Sequence, residues 1–211
     1  MKHQLDLEKW PRKHHFNFFK QFEEPYFGVT VNVDLTLAYE HAKASGVSLF
    51  IYYLYQSLNA ANLVEPFRYR IEDDGVMVYD VVNASPTINR PDGTFGFGYF
   101  SYSADFETFL EGAEKEIELV RSTTDLMPTA EGTAQNTIHY SALPWLNFTS
   151  MSHARMFSYR DSVPKISFGR ITDVDGQKIM AVSIHVHHAL MDGMHVGQYV
   201  QVYQDLLNMG L

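Results

Sequence analysis

The pattern of apolar and polar positions in the first third of the chain predicts both strands and helices. Apolar and polar residues alternate over residues 27–33, which predicts a strand with one buried face. Asp34 can cap a helix that follows this strand, and Gly46 can end it. A nearly continuous apolar run over residues 49–63 follows Ser48 and predicts a long helix that is buried on most sides.

A shorter helix is predicted near the N-terminus. Pro11 suits an opening helical turn, because the N–H that proline lacks has no partner there. Phe16, Phe19 and Phe22 then fall on one stripe, with Phe18 beside it. We therefore expect this helix to carry an aromatic face.

The residue pattern in the middle of the chain predicts paired strands. Residues 68–71 and 76–79 flank the turn sequence at 73–75, which predicts a β-hairpin. Two more strands are predicted at 85–89 and 94–100, on either side of a second turn.

The second half of the chain repeats both patterns. Residues 106–120 form an amphipathic helix, and the polar segment 121–136 is predicted to be a loop. Strands are predicted at 165–170 and 179–186, and an apolar stripe over residues 196–207 predicts a closing helix.

These elements predict an α+β fold (mixed α/β), with a sheet of several strands packed by four or five helices. We see no internal repeat and no linker rich in proline or glycine, so a single domain over residues 1–211 is the simpler interpretation. With 45% hydrophobic residues, the chain can build a sizeable core.

Composition restricts the classes of function. No segment approaches the roughly 20 apolar residues of a membrane span, and the first residues lack the apolar core of a signal peptide. The absence of cysteine excludes disulfides and thiolate nucleophiles, so we expect a cytoplasmic protein. A net charge of −9 argues against a nucleic-acid partner.

Residues 184–195 carry the candidate chemistry. A β-branched run delivers His187 and His188 to its end, and Asp192 and Gly193 open the closing helix. Imidazole is the usual general base near neutral pH, because its unperturbed pKa is about 6.5. The strand, turn and helix are therefore suited to present a catalytic histidine.

Three motifs carry a resemblance to a known family. The run His-His-x-x-x-Asp-Gly over residues 187–193 resembles the signature of the type A chloramphenicol acetyltransferases. The pattern Ser-x-x-Pro-Trp-x-x-Phe-x-Ser over residues 141–150 matches the family at every fixed position, and Trp10, Arg12, His15 and Phe16 match its N-terminal pattern. A looser His-x-x-x-Asp form occurs in acyltransferase domains of 2-oxo acid dehydrogenase complexes and in related condensation enzymes.

The resemblance implies an acetyl-CoA-dependent O-acetyltransferase whose default acceptor is chloramphenicol or a related small molecule. It implies that His188 is the general base, that Ser141 stabilises the oxyanion, and that Arg12 pairs with Asp192. The two substrates would react directly in a ternary complex without an acyl-enzyme or a metal. The family also implies a two-layer sandwich assembled as a homotrimer, with each active site at a subunit boundary.

The resemblance extends to the binding sites. Aromatic and hydroxyl side chains implied for the acceptor pocket are Phe18, Phe19, Phe95, Phe97 and Ser167. Trp145 and Arg170 are implied to contact the coenzyme. The pocket also departs from the family, because polar residues align at or near positions that are apolar in the drug-acetylating enzymes: Glu23, His153, Arg155 and Lys165. These residues either point away or accommodate an acceptor more polar than chloramphenicol.

Alternatives remain open. The chain is also compatible with a same-fold acyltransferase that uses another hydroxyl or a thiol, or with a binding module that has lost turnover. His185 and His187 share a strand face and could be zinc ligands, whereas His188 would point to the other face. His195 and His187 are expected to have supporting roles, and a Ser-His-Asp triad is disfavoured because the family pairs this Asp with Arg12.

Overall fold

The protein consists of two β-sheets and five α-helices in a computed structural model that describes residues 1–129, 131, 134–156 and 161–210. The strands are β1 (Lys2–Gln4), β2 (Tyr26–Asp34), β3 (Tyr69–Glu72), β4 (Gly75–Tyr79), β5 (Asn83–Asn89), β6 (Phe95–Phe97), β7 (Thr137–Ala142), β8 (Lys165–Val174) and β9 (Gln177–His187). The helices are α1 (Lys13–Phe19), α2 (Thr36–Ser45), α3 (Leu49–Leu63), α4 (Phe106–Ser122) and α5 (Gly193–Met209).

The larger sheet has the strand order β2-β9-β8-β7-β5-β6, and the smaller sheet has the order β1-β4-β3. Strand β7 is parallel to β5 and β8, whereas β9 is antiparallel to both β8 and β2. The predicted mixed α+β fold is confirmed. None of the helices in the described part of the chain has the length and apolarity needed to cross a bilayer.

One face of the larger sheet packs against α3 and α5. Ile166 and Phe168 of β8 are fully buried on this face. The Phe168 ring lies 4.7 Å from Tyr53 of α3 and 6.5 Å from Tyr203 of α5, measured between ring centroids. Helix α3 is buried along most of its length, as the apolar run predicts, because it lies in this layer.

The opposite face of this sheet is polar. Strand register aligns Ser141 with Ser167, Ser167 with Ser183, and Ser183 with Thr30. Side chains of aligned residues point to the same side of a sheet, and they alternate along each strand. The hydroxyls of β7, β8, β9 and β2 therefore form one row on the face that the helices do not cover.

The predicted turns and caps are present, with one shift. The Asp34 carboxylate accepts a hydrogen bond from the Thr36 N–H at 2.8 Å, although Leu35 occupies the N-cap position of α2. Gly46 ends α2 with φ +69°. Asp73 and Asp74 have φ values of +46° and +63° in the β3–β4 turn, as a two-residue hairpin loop requires.

The N-terminal helix differs from its prediction. It spans only seven residues and ends at Phe19, so Phe22 lies beyond it. Phe16 alone is fully buried, whereas Phe18 is 58% exposed and Phe22 is 45% exposed. A helix of two turns has room for one core-facing position here, and the rings of Phe18, Phe19 and Phe22 form a surface cluster instead, with centroids about 5 Å apart.

Candidate active site

His188 lies in a tight loop between β9 and α5. Its N–H donates to the carbonyl of Pro25 at 2.8 Å, which fixes the loop against the segment before β2. The N–H groups of Leu190 and Met191 both donate to the carbonyl of His187, at 2.9 and 3.2 Å. The β-branched strand thus delivers the histidine into a closed turn.

The His188 ring is held in one orientation. Its Nδ1 lies 3.2 Å from the Met191 carbonyl oxygen, and the ring stacks on Phe19 at 4.0 Å, with Phe27 at 4.7 Å. A carbonyl only accepts hydrogen bonds, so Nδ1 carries the proton of the neutral ring. The lone pair at Nε2 is therefore the one available to take up a proton.

Arg12 joins α1 to the His188 loop. Its guanidinium forms an ion pair with the Asp192 carboxylate and donates to the His188 carbonyl at 3.1 Å. Asp192 also caps α5, because its carboxylate accepts from the Met194 N–H at 3.1 Å while His195 Nδ1 accepts from the Asp192 N–H at 3.1 Å. Asp192 and His195 therefore stabilise the loop and the helix start.

The charge of Asp192 reflects this role. Partial burial favours a higher pKa for the carboxyl, but Arg12 and His195 outweigh it and lower the pKa below its usual value. Among the described residues, the Asp192 carboxylate contacts Arg12, Met194 and His195. His188 Nδ1 is instead hydrogen-bonded to the Met191 carbonyl. The geometry is that of an ion pair that supports the loop.

We expect Asp192→Asn to lower the free energy of unfolding by about 1–3 kcal/mol, because Arg12 loses its partner while asparagine still caps α5. We also expect kcat to fall about tenfold as the His188 loop loosens. Urea unfolding and steady-state kinetics measure both effects. Asp205→Asn on the exposed side of α5 is the matched control and should change neither quantity.

The stability difference between wild type and Asp192→Asn is expected to depend on pH. A carboxyl whose folded pKa is lowered stabilises the protein above its unfolded pKa of about 3.9, and this contribution is lost as the pH falls through the folded pKa. The stability gap between wild type and Asp192→Asn should therefore be complete at pH 6 and shrink below about pH 4. A gap that stays constant down to pH 3 would contradict the ion-pair interpretation.

Ser141 lies on the polar face of the sheet beside Ser167. The two residues are aligned between the parallel strands β7 and β8. The Ser167 hydroxyl is buried and has no hydrogen-bond partner among the described residues, and the half-buried Ser141 hydroxyl makes none that the described part of the chain contains. Of these two adjacent hydroxyls, that of Ser141 is accessible to a ligand, whereas that of Ser167 is enclosed.

The residues implied for the coenzyme lie just beyond Ser141. Trp145 follows β7 and is 65% exposed, and the carbonyl of the next residue, Leu146, accepts from the Arg170 N–H at 2.7 Å. Arg170 is exposed at the same edge. An aromatic ring and a cation thus share the surface at which β7 ends.

The aromatic residues implied for the acceptor lie in two separate places. Phe18 and Phe19 lie at the His188 loop, since Phe19 stacks on the imidazole. Phe95 and Phe97 lie on β6 with their rings 5.5 Å apart, and Phe97 borders a cavity of about 540 Å³.

Ser141 and His188 are far apart within one chain. Ser141 is aligned with Ser183 on β9 through Ser167 on the strand between them. His188 follows Ser183 by five residues, so Ser141 and His188 are separated by two strand spacings and five residues. Rises of about 3.3 Å per residue and spacings of about 4.8 Å per strand put their Cα atoms about 19 Å apart. A single chain therefore does not bring these two side chains to one reacting atom.

The polar face also holds histidines other than the proposed base. His139 precedes Ser141 by two residues on β7, and His185 and His187 follow Ser183 on β9, so strand alternation puts all of them on this face. His153 lies against His185, with ring centroids 4.7 Å apart. Alternation along each strand could have predicted the shared face, but not the order in which the strands pair.

His185 and His187 are both engaged in hydrogen bonds. His185 Nε2 lies 3.1 Å from the Ser183 hydroxyl, and the ring also bonds to the backbone of Met151. A Cβ at position 28 would overlap this ring, which explains the glycine in β2. His187 Nδ1 accepts from the Ala189 N–H at 3.2 Å. Within the described residues, no three His, Cys, Asp or Glu side chains are arranged to hold a metal ion.

Comparisons with known proteins give matches over nearly the whole chain. A family model described as chloramphenicol acetyltransferase matches residues 1–204. Chloramphenicol acetyltransferase 3 of Escherichia coli is 28% identical over 206 residues, which are 97% of this chain and 96% of the relative. A chloramphenicol acetyltransferase of Clostridium perfringens is 27% identical over 207 residues, covering 96% of this chain and 93% of the relative.

Solved structures give the same result. A structure of a chloramphenicol acetyltransferase superposes with a TM-score of 0.89 and 33% identity, covering 98% of this chain and 100% of the other. The truncated catalytic core of a 2-oxoacid dehydrogenase multienzyme complex from Thermoplasma acidophilum has a TM-score of 0.69 at 14% identity, covering 94% and 95% of the two chains. At that identity the second likeness concerns the fold alone.

Proposed function

The chain belongs to the chloramphenicol acetyltransferase family of acyltransferases, and from this we propose that it is an acetyl-CoA-dependent O-acetyltransferase with chloramphenicol or a related small molecule as acceptor. The observation that carries the proposal is the His188 ring, whose Nδ1 is bonded to the Met191 carbonyl. This bond leaves Nε2 as a base of fixed direction. A cytoplasmic location is part of the proposal, since the acetyl donor is an intracellular metabolite.

In the proposed reaction, His188 Nε2 removes the proton from the acceptor hydroxyl as its oxygen attacks the thioester carbonyl. The carbon becomes tetrahedral, and the former carbonyl oxygen becomes an oxyanion. Collapse of this intermediate breaks the C–S bond, and the imidazolium returns its proton to the leaving thiolate. The products are the acetyl ester and CoA, so the histidine is regenerated in one cycle without an acyl-enzyme.

Ser141 is proposed to donate its hydroxyl to the oxyanion. A hydroxyl that makes no hydrogen bond within the described residues can donate to a developing charge without first breaking a bond. Ser167 is aligned with it on β8, but the Ser167 hydroxyl is enclosed, so Ser141 is the one of the two that a substrate can reach.

Acetyl-CoA supplies the activated acetyl group, and the residues near Ser141 fit such a ligand. A groove of about 490 Å³ is lined by Ala142 and Pro144, which follow the proposed oxyanion donor, and its charged lining residues are Glu114, Glu118 and Arg121. The exposed Trp145 ring and the Arg170 side chain lie at the same edge. We propose that this edge binds the coenzyme, with the cations available to its phosphates.

The proposal includes a homotrimer with its active sites at subunit boundaries. The separation of about 19 Å between Ser141 and His188 in one chain supports a site in which the two residues come from different copies. Phe18 and Phe22 also support it, because they expose apolar rings beside His188 that a second copy can cover. In such a site the aromatic cluster of one copy would meet the polar sheet face of another.

The test is release of free CoA thiol from acetyl-CoA, measured with and without chloramphenicol and with other hydroxyl acceptors. We expect release that depends on the acceptor, together with the acetyl ester in the product mixture by mass spectrometry. Release with a thiol but with no hydroxyl acceptor would favour the alternative same-fold acyltransferase. Absence of acceptor-dependent release with every acceptor would overturn the proposal and favour a binding module.

A further inference from the structure

His195 occupies a position near the start of α5 where a capping box usually has glutamate or glutamine. Asp192 is the N-cap residue, and His195 is the third residue of the helix. In the common form of this motif, the third side chain accepts a hydrogen bond from the backbone N–H of the N-cap residue. Here His195 Nδ1 is the acceptor, at 3.1 Å from the Asp192 nitrogen. The capping box therefore contains an imidazole, the side chain whose two charge states are both common between pH 5 and 8.

The Nδ1 atom of His195 faces two groups of opposite hydrogen-bonding character. Besides the Asp192 N–H, the carboxylate oxygen Oδ1 of Asp192 lies 2.9 Å from this nitrogen. A neutral ring with its proton on Nε2 has a lone pair at Nδ1 and can accept from the N–H. A protonated ring has an N–H at Nδ1, which cannot accept and is attracted to the carboxylate instead. The two charge states of His195 therefore favour different partners on one residue.

The Asp192 carboxylate connects His195 to the loop that carries the proposed base. Its Oδ2 pairs with Arg12, whereas its Oδ1 accepts from the Met194 N–H at 3.1 Å and faces His195. Arg12, which precedes α1, also donates to the His188 carbonyl at 3.1 Å. Among the described contacts, Arg12, Asp192 and His195 are the charged or titratable side chains that meet here, and His188 adjoins them through its carbonyl. A change in the bonding of Asp192 therefore reaches the backbone of the base.

These contacts are largely shielded from water. The His195 side chain is 13% exposed and that of Arg12 is 12% exposed, whereas the Asp192 side chain is 34% exposed. A backbone N–H that loses its partner in such a place is only partly compensated by solvent. The identity of the group bonded to His195 Nδ1 therefore affects how firmly the turn over residues 188–192 is held.

We propose that His195 is a positioning residue: its neutral form holds the Asp192 N–H and with it the His188 loop, and its protonation exchanges this bond for one to the Asp192 carboxylate. The inference rests on the proposed function, because its catalytic consequence is measured by acetyl transfer. The reaction then needs two unprotonated imidazoles, His188 as the base and His195 as the support of the loop that presents it. His195 acts on the reacting atoms only through this loop.

The test is the pH dependence of kcat/KM for wild type, His195→Gln and His195→Ala between pH 5.5 and 8.5. Glutamine can accept from the Asp192 N–H throughout, because its amide does not titrate. We expect the ratio of His195→Gln to wild type to rise about tenfold from pH 8.5 to pH 5.5, since only wild type loses the bond and its loop loosens. His195→Ala lacks the bond at every pH, so its ratio to wild type should rise from about one tenth towards one.

The other histidines do not disturb this comparison. Burial is the main cause that lowers the pKa of His139, His153 and His187 to about 4, so these rings stay neutral over the range. His14→Gln is the matched control, because His14 is exposed on α1, and its ratio to wild type should not change with pH. Constant ratios for both His195 variants would overturn the inference, since a purely structural histidine lowers activity by the same factor at every pH.

A second measurement does not need turnover. NMR of the full chain with isotope-labelled histidine identifies the protonated ring nitrogen of His195 at pH 8.5, and hydrogen exchange follows the Asp192 amide as the ring is titrated. We expect the proton on Nε2, and an exchange protection of the Asp192 amide that falls about tenfold as the ring is protonated in wild type but not in His195→Gln. A proton on Nδ1 at pH 8.5, or equal protection in both proteins at every pH, would overturn the inference. If no acceptor is acetylated, the proposed function fails, whereas this measurement still decides the exchange of partners at His195.

Discussion

Replacing His188 with alanine is expected to lower kcat about 10³- to 10⁴-fold, with little change in KM for either substrate. The proposed reaction needs a base at the acceptor hydroxyl, and the His188 ring is held for this purpose by the Met191 carbonyl and the Phe19 ring. Neither a serine hydroxyl nor a water molecule can replace the imidazole as the base, because neither accepts a proton readily near pH 7. The effect should therefore appear in the chemical step and not in binding.

The measurement is acceptor-dependent thiol release by wild type and His188→Ala, with circular dichroism and thermal unfolding to verify the fold. His14→Ala is the matched control, since His14 is exposed on α1, the helix that also carries Phe19. We expect the control to retain full activity. A His188→Ala variant within tenfold of wild-type kcat would exclude His188 as the base.

Replacing Ser141 with alanine is expected to lower kcat about 10²- to 10³-fold. The hydroxyl makes no hydrogen bond within the described part of the chain, so its removal should leave stability almost unchanged. Its role is proposed to begin only when the thioester oxygen acquires charge. KM should therefore change much less than kcat, which distinguishes transition-state stabilisation from substrate binding.

Steady-state kinetics of Ser141→Ala with acetyl-CoA and the best acceptor measure this effect. Ser45→Ala at the exposed end of α2 is the matched control and should behave as wild type. Ser167→Ala is informative as a comparison, because a smaller loss there would identify Ser141 as the principal donor. An increase in the KM of Ser141→Ala with an unchanged kcat would contradict the oxyanion role.

The sequence was sufficient for elements whose pattern is local. Helix α3 was predicted from one apolar run, and the β3–β4 hairpin from its turn residues, because each depends on neighbours in sequence. Helix α1 was predicted to carry Phe22, but the chain turns after Phe19, and tertiary packing selects only Phe16 for the core. Boundaries of short helices depend on such packing and are poorly encoded in periodicity.

The set of side chains on the polar face of the larger sheet could not be predicted in the same way. His139, His153 and Lys165 come from β7, from the segment before β8, and from β8 itself, so their meeting depends on strand order. Arg70 is a further example: it is a polar residue on β3, yet it is fully buried and donates to the backbone carbonyls of Gln135 and Thr137. Long-range contacts of this kind appear only in the folded chain.

The proposal that Ser141 and His188 of different copies serve one acetyl transfer is tested most directly by mixing two inactive variants. Ser141→Ala and His188→Ala are co-refolded or co-expressed in equal amounts, and thiol release is compared with that of each variant alone. In a trimer with sites between subunits, about one quarter of the sites regain both residues, so about a quarter of wild-type activity should return. Mixed assemblies without any recovered activity would contradict the account, because they would mean that both residues act within a single chain.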